Sequence, residues 1–149
     1  MKKMRLGIVG CGRLNRIVAR AVADGLLPEY ELVGCYSRTY ESAEKLSSAM
    51  AERGIACKPC HTIEELLEQR PDIVAEAATP AGMRAVAVKC LENGCSIVCL
   101  SIGAFADDAF YAEVRETAAK HGTKVYMASG ATGGFDVLRT AALMGGATA

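Results

Sequence analysis

The chain has 149 residues with 17 basic against 17 acidic side chains, so its formal net charge is zero and nothing argues for nucleic acid or an anionic membrane surface. Hydrophobic residues make up 51% of it, enough for a well-filled core, which excludes intrinsic disorder. No apolar run approaches the ~18 residues that cross a bilayer, and Met1-Lys2-Lys3-Met4-Arg5 leads straight into an apolar stretch without a signal-peptide core. One cytoplasmic domain over residues 1–149 is therefore expected.

Leu6-Gly7-Ile8-Val9-Gly10-Cys11-Gly12-Arg13-Leu14-Asn15 begins as an apolar strand (from Met4), breaks at two glycines spaced one apart, and continues as a helix. This order suits a pyrophosphate. Gly10 permits the tight turn and Gly12 lets backbone approach phosphate. The helix opening at Arg13 and Leu14 offers free N–H groups and the positive end of its dipole. Asn15 stands where the third glycine of the fingerprint belongs. Leu14, Ile17, Val18, Ala21 and Val22 recur at helical spacing to about Ala23, and Gly25 can stop the helix.

The second strand is read at Tyr30 to Tyr36, followed by a helix from Thr39, its N-cap, to Arg53, with Gly54 beyond its end. Ile55 to Pro59 is read as a short strand, and Thr62-Ile63-Glu64-Glu65 as a capping box opening a helix to Gln69. Asp72 to Ala77 is an apolar strand carrying one acid, Glu76. Thr79-Pro80 then caps and starts a helix ending at Gly94. Ser96 to Leu100 is the fifth strand, Asp107 caps a helix to His121 closed by Gly122, and Lys124 to Ala128 is the sixth strand. Phe135 to Met144 reads as a last short helix. About six alternations of strand and helix predict an α/β, Rossmann-type doubly wound parallel sheet with helices on both faces.

Ligands of such sheets bind beyond the carboxyl ends of the strands, so candidates are sought there. After the second strand, where an acid grips the ribose 2′-OH of NAD, this chain has Ser37-Arg38-Thr39. Without a carboxylate nothing repels a 2′-phosphate, and Arg38 can pair with one at ~1.5–3 kcal/mol. NADP is therefore expected over NAD. After the fourth strand the small residues Ala77 and Ala78 and the helix start at Thr79 leave room and N–H donors for the cofactor. Glu76 is expected either near the nicotinamide or substrate, or in a structural ion pair. Ser101 and Gly103 after the fifth strand, and the Gly-rich loop 129–136 after the sixth, open onto the same crevice.

The seven cysteines, odd in number and mostly set in apolar patterns, read as reduced, packed thiols. Cys57-Lys58-Pro59-Cys60-His61 matches the spacing of c-type haem attachment, yet an export context and an axial partner are missing. A zinc site there would need two more ligands, with His121 far off in another element. No metal site is assigned.

Gly-Ile-Val-Gly-Cys-Gly at 7–12, Glu-Ala-Ala at 76–78, Ser-Ile-Gly-Ala-Phe-Ala-Asp at 101–107 and Ser-Gly-Ala-Thr-Gly-Gly-Phe-Asp at 129–136 resemble the L-aspartate dehydrogenase family along essentially the whole chain. The resemblance implies a reversible NAD(P)-linked oxidative deamination of L-aspartate through iminoaspartate to oxaloacetate, a link to NAD biosynthesis, and a homo-oligomer. It also implies that Ala131 and its neighbours line the nicotinamide end. Two departures stand out. Asn15 replaces a small residue, so either the first helix sits further from the sheet or the amide serves a phosphate. Ser37 replaces the acid of NAD-using members.

Members of that family carry a second, α+β domain with the catalytic histidine. His61 lies near the third strand and His121 at the far end of a helix, and a general base must come within ~3 Å of the substrate. No catalytic residue is assigned. The chain is thus expected to be the cofactor half of an aspartate dehydrogenase, inactive alone and meeting L-aspartate only with the second domain. The alternatives are a stand-alone NADP-binding redox-sensing or subunit module, and the cofactor half of a homoserine or sugar dehydrogenase.

Overall fold

Apolar runs short enough for strands, each followed by a capped helix, build one parallel sheet in the computed structural model, which describes residues 2–128. In chain order the elements are β1 (Met4–Val9), α1 (Arg13–Ala23), β2 (Tyr30–Tyr36), α2 (Tyr40–Ala51), β3 (Lys58–Cys60), α3 (Ile63–Glu68), β4 (Ile73–Glu76), α4 (Pro80–Glu92), β5 (Ser96–Cys99), a 3-10 turn (Ile102–Ala106), α5 (Asp108–His121) and β6 (Val125–Met127). The sheet runs β3-β2-β1-β4-β5-β6, with every pairing parallel. The order reverses between β1 and β4, and that gap is where a doubly wound sheet leaves a crevice.

Two cores hold the layers together. Leu6, Ile8, Cys35, Ile73 and Ala75 of the sheet pack with Ala19 and Val22 of α1 and with Ala43, Leu46 and Met50 of α2. On the opposite face Val9, Val74, Ile97 and Cys99 pack with α3, α4 and α5. Gly7 and Gly34 are register partners in β1 and β2. A Cβ on either would press within 3.4 Å of Leu66 Cδ1, so the pair lets α3 seat closely on the sheet.

The helix punctuation follows the sequence. Thr62 Oγ1 accepts from Glu65 N (3.2 Å), while the Glu65 carboxylate accepts from His61 N (2.8 Å). Asp107 Oδ1 accepts from Ala109 N and Phe110 N at the start of α5, and Gly122 closes that helix in the left-handed region. Two differences have local causes. β3 starts at Lys58 rather than Ile55, because Ile55 N still closes the end of α2 on Met50 O (3.0 Å). Pro59 is tolerated because β3 is the edge strand. The stretch after β5 is a 3-10 turn rather than open loop, held by buried Ala104 and by Phe105 against Phe110 (5.4 Å between centroids). The helix read at 135–144 lies outside the described residues.

Candidate functional site

The carboxyl ends of β1, β2 and β4 border a cleft of about 980 Å³. Gly10 turns the chain out of β1 with φ +86°, and a Cβ there would sit 2.8 Å from the Ala77 carbonyl and Ala78 Cα. The left-handed backbone and the lack of space both demand glycine. Gly12 is the opposite case, since a Cβ on it would meet nothing within 4 Å. The open volume lies over the N-terminus of α1, where Gly12 is the N-cap, no side chain caps the helix and no acid occupies the first turn. Free N–H groups therefore face empty space, the arrangement that suits a phosphate.

Charge sharpens this. Arg13, Arg16, Arg20 and Arg38 all line the cleft, and no carboxylate does among the described residues. None of the four takes part in a salt bridge among the described residues. Arg13, Arg16 and Arg20 follow one face of α1, and Arg38 is exposed on the far wall beyond β2. Ser37 Oγ accepts from Cys11 N at 3.5 Å, and Thr39, at the N-cap of α2, leaves its hydroxyl unused by that helix. A chain of zero net charge thus concentrates cations around one concavity.

Two buried polar residues support the cleft from behind its lining, and sequence reasoning missed both roles. Asn15 is 1% exposed, and its amide nitrogen donates to Val9 O (2.9 Å), Gly10 O (2.8 Å) and Ala75 O (3.0 Å). The amide is occupied with the ends of β1 and β4, so it neither serves a phosphate nor holds α1 away from the sheet. It also sets the rotation of α1. The buried face is Asn15, Ala19 and Val22, while Leu14 and Ile17 stay 54% and 57% exposed. Of the apolar stripe of the sequence, Val22 is buried and Val18 packs half-buried against the core, while Leu14 and Ile17 turn away from it. A polar residue at i of an i, i+4, i+7 set whose other members are Ala19 and Val22 was the available signal.

Glu76 is fully buried and has no cation partner among the described residues, which sets aside the ion-pair expectation. Its carboxylate accepts from Ala78 N (2.8 Å), Ser101 Oγ (2.7 Å), Ser101 N (3.1 Å) and Cys99 Sγ (3.4 Å). It ties the loop after β4 to the loop after β5. Burial first, then the Glu76 charge, pushes the Cys99 thiol up to about 12.

The cleft brings together Gly10, Gly12, Arg13, Ser37, Arg38, Thr39, Ala78 and Thr79. Leu14, Ser101 and Gly103 do not line it. The Leu14 side chain projects from α1, Ser101 is engaged by Glu76, and Gly103 lies in the 3-10 turn near Pro80. The start of α4 offers fewer donors than expected, because Thr79 Oγ1 already accepts from Gly82 N (3.0 Å). Ala131 lies outside the described residues. His61 stacks on Tyr40 (3.6 Å between centroids), and neither it nor His121 lines the cleft. Cys57 and Cys60 point into cores on opposite faces of the sheet, so the C-x-x-C-H spacing does not converge.

Residues 10–128 match the family described as homoserine dehydrogenase, NAD binding domain. The chain is similar to an L-aspartate dehydrogenase of Methanocaldococcus jannaschii, 32% identical over 91% of this chain and 49% of that protein. It is likewise similar to L-aspartate dehydrogenase 1 of Bordetella pertussis, 38% identical over 95% of this chain and 51% of that protein. The chain thus spans about half the length of the curated relatives it matches. An oxidoreductase structure from Thermotoga maritima superposes with TM-score 0.66 at 28% identity, covering 86% of this chain and 38% of that one. The NAD complex of GenD2 from gentamicin A biosynthesis superposes at 0.67 with 16% identity, covering 87% and 35%. The sheet order, the glycine turn and the match over residues 10–128 lead to one assignment: this chain belongs to the homoserine dehydrogenase NAD binding domain family.

Proposed function

We propose that the chain is the cofactor-binding half of an L-aspartate dehydrogenase and that it takes NADP in preference to NAD. The observation that carries the cofactor choice is a cleft lined, among the described residues, by four arginines and no carboxylate, with Ser37-Arg38 where an acid would select NAD. When bound, the nicotinamide supplies the hydride chemistry of an amine–imine interconversion. The residues of this chain hold the rest of the cofactor. Gly12 and the open N-terminus of α1 receive the pyrophosphate, Arg13 flanks it, and Arg38 with Ser37 receives the 2′-phosphate. Asn15 and Glu76 stay out of contact and fix the loops between which the cofactor lies. The aspartate substrate is supported by the L-aspartate dehydrogenase relatives and by the motifs at 101–107 and 129–136. Homoserine, favoured by the description of the family, is the second reading.

Paired titrations with NADPH and NADH, followed by nicotinamide fluorescence, test the cofactor choice. NADPH is expected to bind about ten- to a hundredfold tighter, with the gap closed by Arg38→Asp. Equal binding, or a preference for NADH, overturns it. The chain alone is expected not to reduce NADP with L-aspartate or L-homoserine, since neither histidine lines the cleft. Turnover by the chain alone overturns the half-enzyme reading.

A further inference from the structure

One cation of the cleft has no role so far. Arg16 stands one turn into α1, where its backbone N–H bonds to Gly12 O at 3.1 Å. Its side chain folds back over the glycine turn, and Nε donates to Cys11 O at 3.3 Å. The N–H of Cys11 in turn donates to Ser37 Oγ at 3.5 Å, and Gly10 N donates to Tyr36 O at 2.8 Å. The turn is thereby tied to the end of β2 on one side and to Arg16 on the other. Arg16, Ser37 and Arg38 all line the cleft.

A guanidinium carries five N–H donors in one plane. The bond to Cys11 O uses one of them and sets the direction of the fork. The four donors on the terminal nitrogens have no partner among the described residues, in salt bridges or in other hydrogen bonds. Ser37 Oγ accepts from Cys11 N and so keeps its own hydrogen for a further acceptor.

We infer that Arg16 is a second cation for the 2′-phosphate of NADP, joined to Ser37 through Cys11 and acting with Arg38. The inference rests on the NADP reading proposed above. The end of β2 is where a doubly wound sheet meets the 2′ position of the adenosine ribose. In NAD that position is a neutral hydroxyl. In NADP it is a phosphate monoester with a charge of about −1.5 to −2 near neutrality. One guanidinium leaves part of that charge unmet. Arg38 comes from the β2 side and Arg16 from the α1 side, and among the described residues no carboxylate lines the cleft to compete for either. The bond to Cys11 O is made before any ligand arrives, so less side-chain freedom is lost on binding. A division of labour follows. Arg13, at the first position of α1 beside Gly12, serves the pyrophosphate that both cofactors share, whereas Arg16 serves a group that only NADP carries. Arg16 therefore discriminates between cofactors, and Arg13 does not.

The test titrates NADPH and NADH into the chain and its variants by nicotinamide fluorescence, with a thermal melt of each. Arg16→Ala is expected to weaken NADPH about ten- to thirtyfold and NADH less than about twofold. Its Tm is expected to stay within about 2 °C of the parent's, because Arg16 is exposed. Arg13→Ala is expected to weaken both cofactors alike. Arg16→Lys keeps the charge but has no Nε to hold Cys11 O, so it recovers only part of the NADPH affinity. Unchanged NADPH affinity in Arg16→Ala overturns the inference. So does an equal loss for both cofactors, which would place Arg16 on the pyrophosphate or in the support of the turn. Full recovery in Arg16→Lys overturns the part given to the Cys11 anchor. Arg16→Gln, neutral and similar in length, repeats the test if the alanine variant does not fold. A parent chain without a preference for NADPH overturns the NADP reading and this inference with it. A parent that prefers NADPH, and still does so by the same ratio after Arg16→Ala, overturns this inference alone.

Discussion

Replacing Asn15 by alanine removes the link between α1 and the ends of β1 and β4. Its amide group supplies two hydrogens to three carbonyls in a site that is 1% exposed, so one hydrogen is shared. Val9 O also accepts from Ala77 N and loses least. Gly10 O loses a donor in a place from which water is excluded, whereas Ala75 is paired in β4 with strands on both sides and its carbonyl does not depend on the amide alone. An unmatched buried acceptor costs about 1–3 kcal/mol, giving roughly 1–3 kcal/mol for Asn15→Ala. That is a sizeable part of the ~5–15 kcal/mol that holds a domain together, equivalent to a fall of roughly 3–10 °C in Tm. Asn15→Asp keeps the shape but turns acceptor oxygens toward three carbonyls, and it is expected to be worse than alanine. Urea unfolding at constant m-value measures both losses. An amide that served a phosphate would give the opposite signature: nucleotide affinity would fall and stability would hold. A loss below about 0.5 kcal/mol in Asn15→Ala, or an aspartate variant as stable as the alanine one, would refute the clamp.

The two glycines of the turn should fail in different ways. Gly10→Ala forces a side chain into a left-handed backbone 2.8 Å from Ala77 and Ala78, so thermal unfolding should show a loss of at least about 1–3 kcal/mol. Gly12→Ala meets empty space, so Tm should stay within about 2 °C while NADPH affinity falls roughly tenfold, and unchanged affinity would remove Gly12 from the phosphate site. Stability should also fall in acid. Backbone donation from Phe110, and then the Arg84 charge and Ala109 N–H, hold Asp107 below its ordinary 3.8, and Lys89 holds Glu64 below 4.5. A carboxyl depressed in the folded state stabilises above its unfolded pKa and loses that contribution as pH falls through the folded one. Tm should therefore be flat near neutrality and decline below about pH 4, with a shallower decline in Asp107→Asn; an unchanged acid limb in that variant would deny the cap its role.

The elements were legible because the signals were local. Thr62, Thr79 and Asp107 each sit one residue before a helix, and each oxygen accepts the backbone N–H that its position implies. Gly10, Ser37, Arg38 and Ala78 were legible as neighbours because strand ends of a doubly wound sheet converge, so their placement follows from topology without any side-chain detail. What was hidden depends on partners distant in sequence. Asn15 reads as a departure from a fingerprint until Ala75 O, sixty residues away, is seen to be its acceptor. Glu76 reads as a stray charge in a strand until the donors of Ser101 close around it. Leu14 and Ile17 were misread for the same reason. Hydrophobic periodicity gives the apolar side of a helix, but the buried amide decides which side turns inward.

These buried partners suggest why a domain of zero net charge can hold, around one cleft, four arginines that form no salt bridge among the described residues. Like charges on the walls repel and would splay mobile loops. Here the walls are fixed by two buried side chains that do not line the cleft and by the turn itself. Asn15 joins α1 to β1 and β4, Glu76 joins the loops after β4 and β5, and Gly10 wedges the turn against Ala77. The cations then need no internal counter-ion, and an anion entering between them meets N–H groups and guanidinium groups already in position. Most of the ordering entropy has been met by folding, so the attraction shows up as affinity. Stability and binding are accordingly separable in this domain, with the first in the buried amide and carboxylate and the second in the open glycine and the arginines above it.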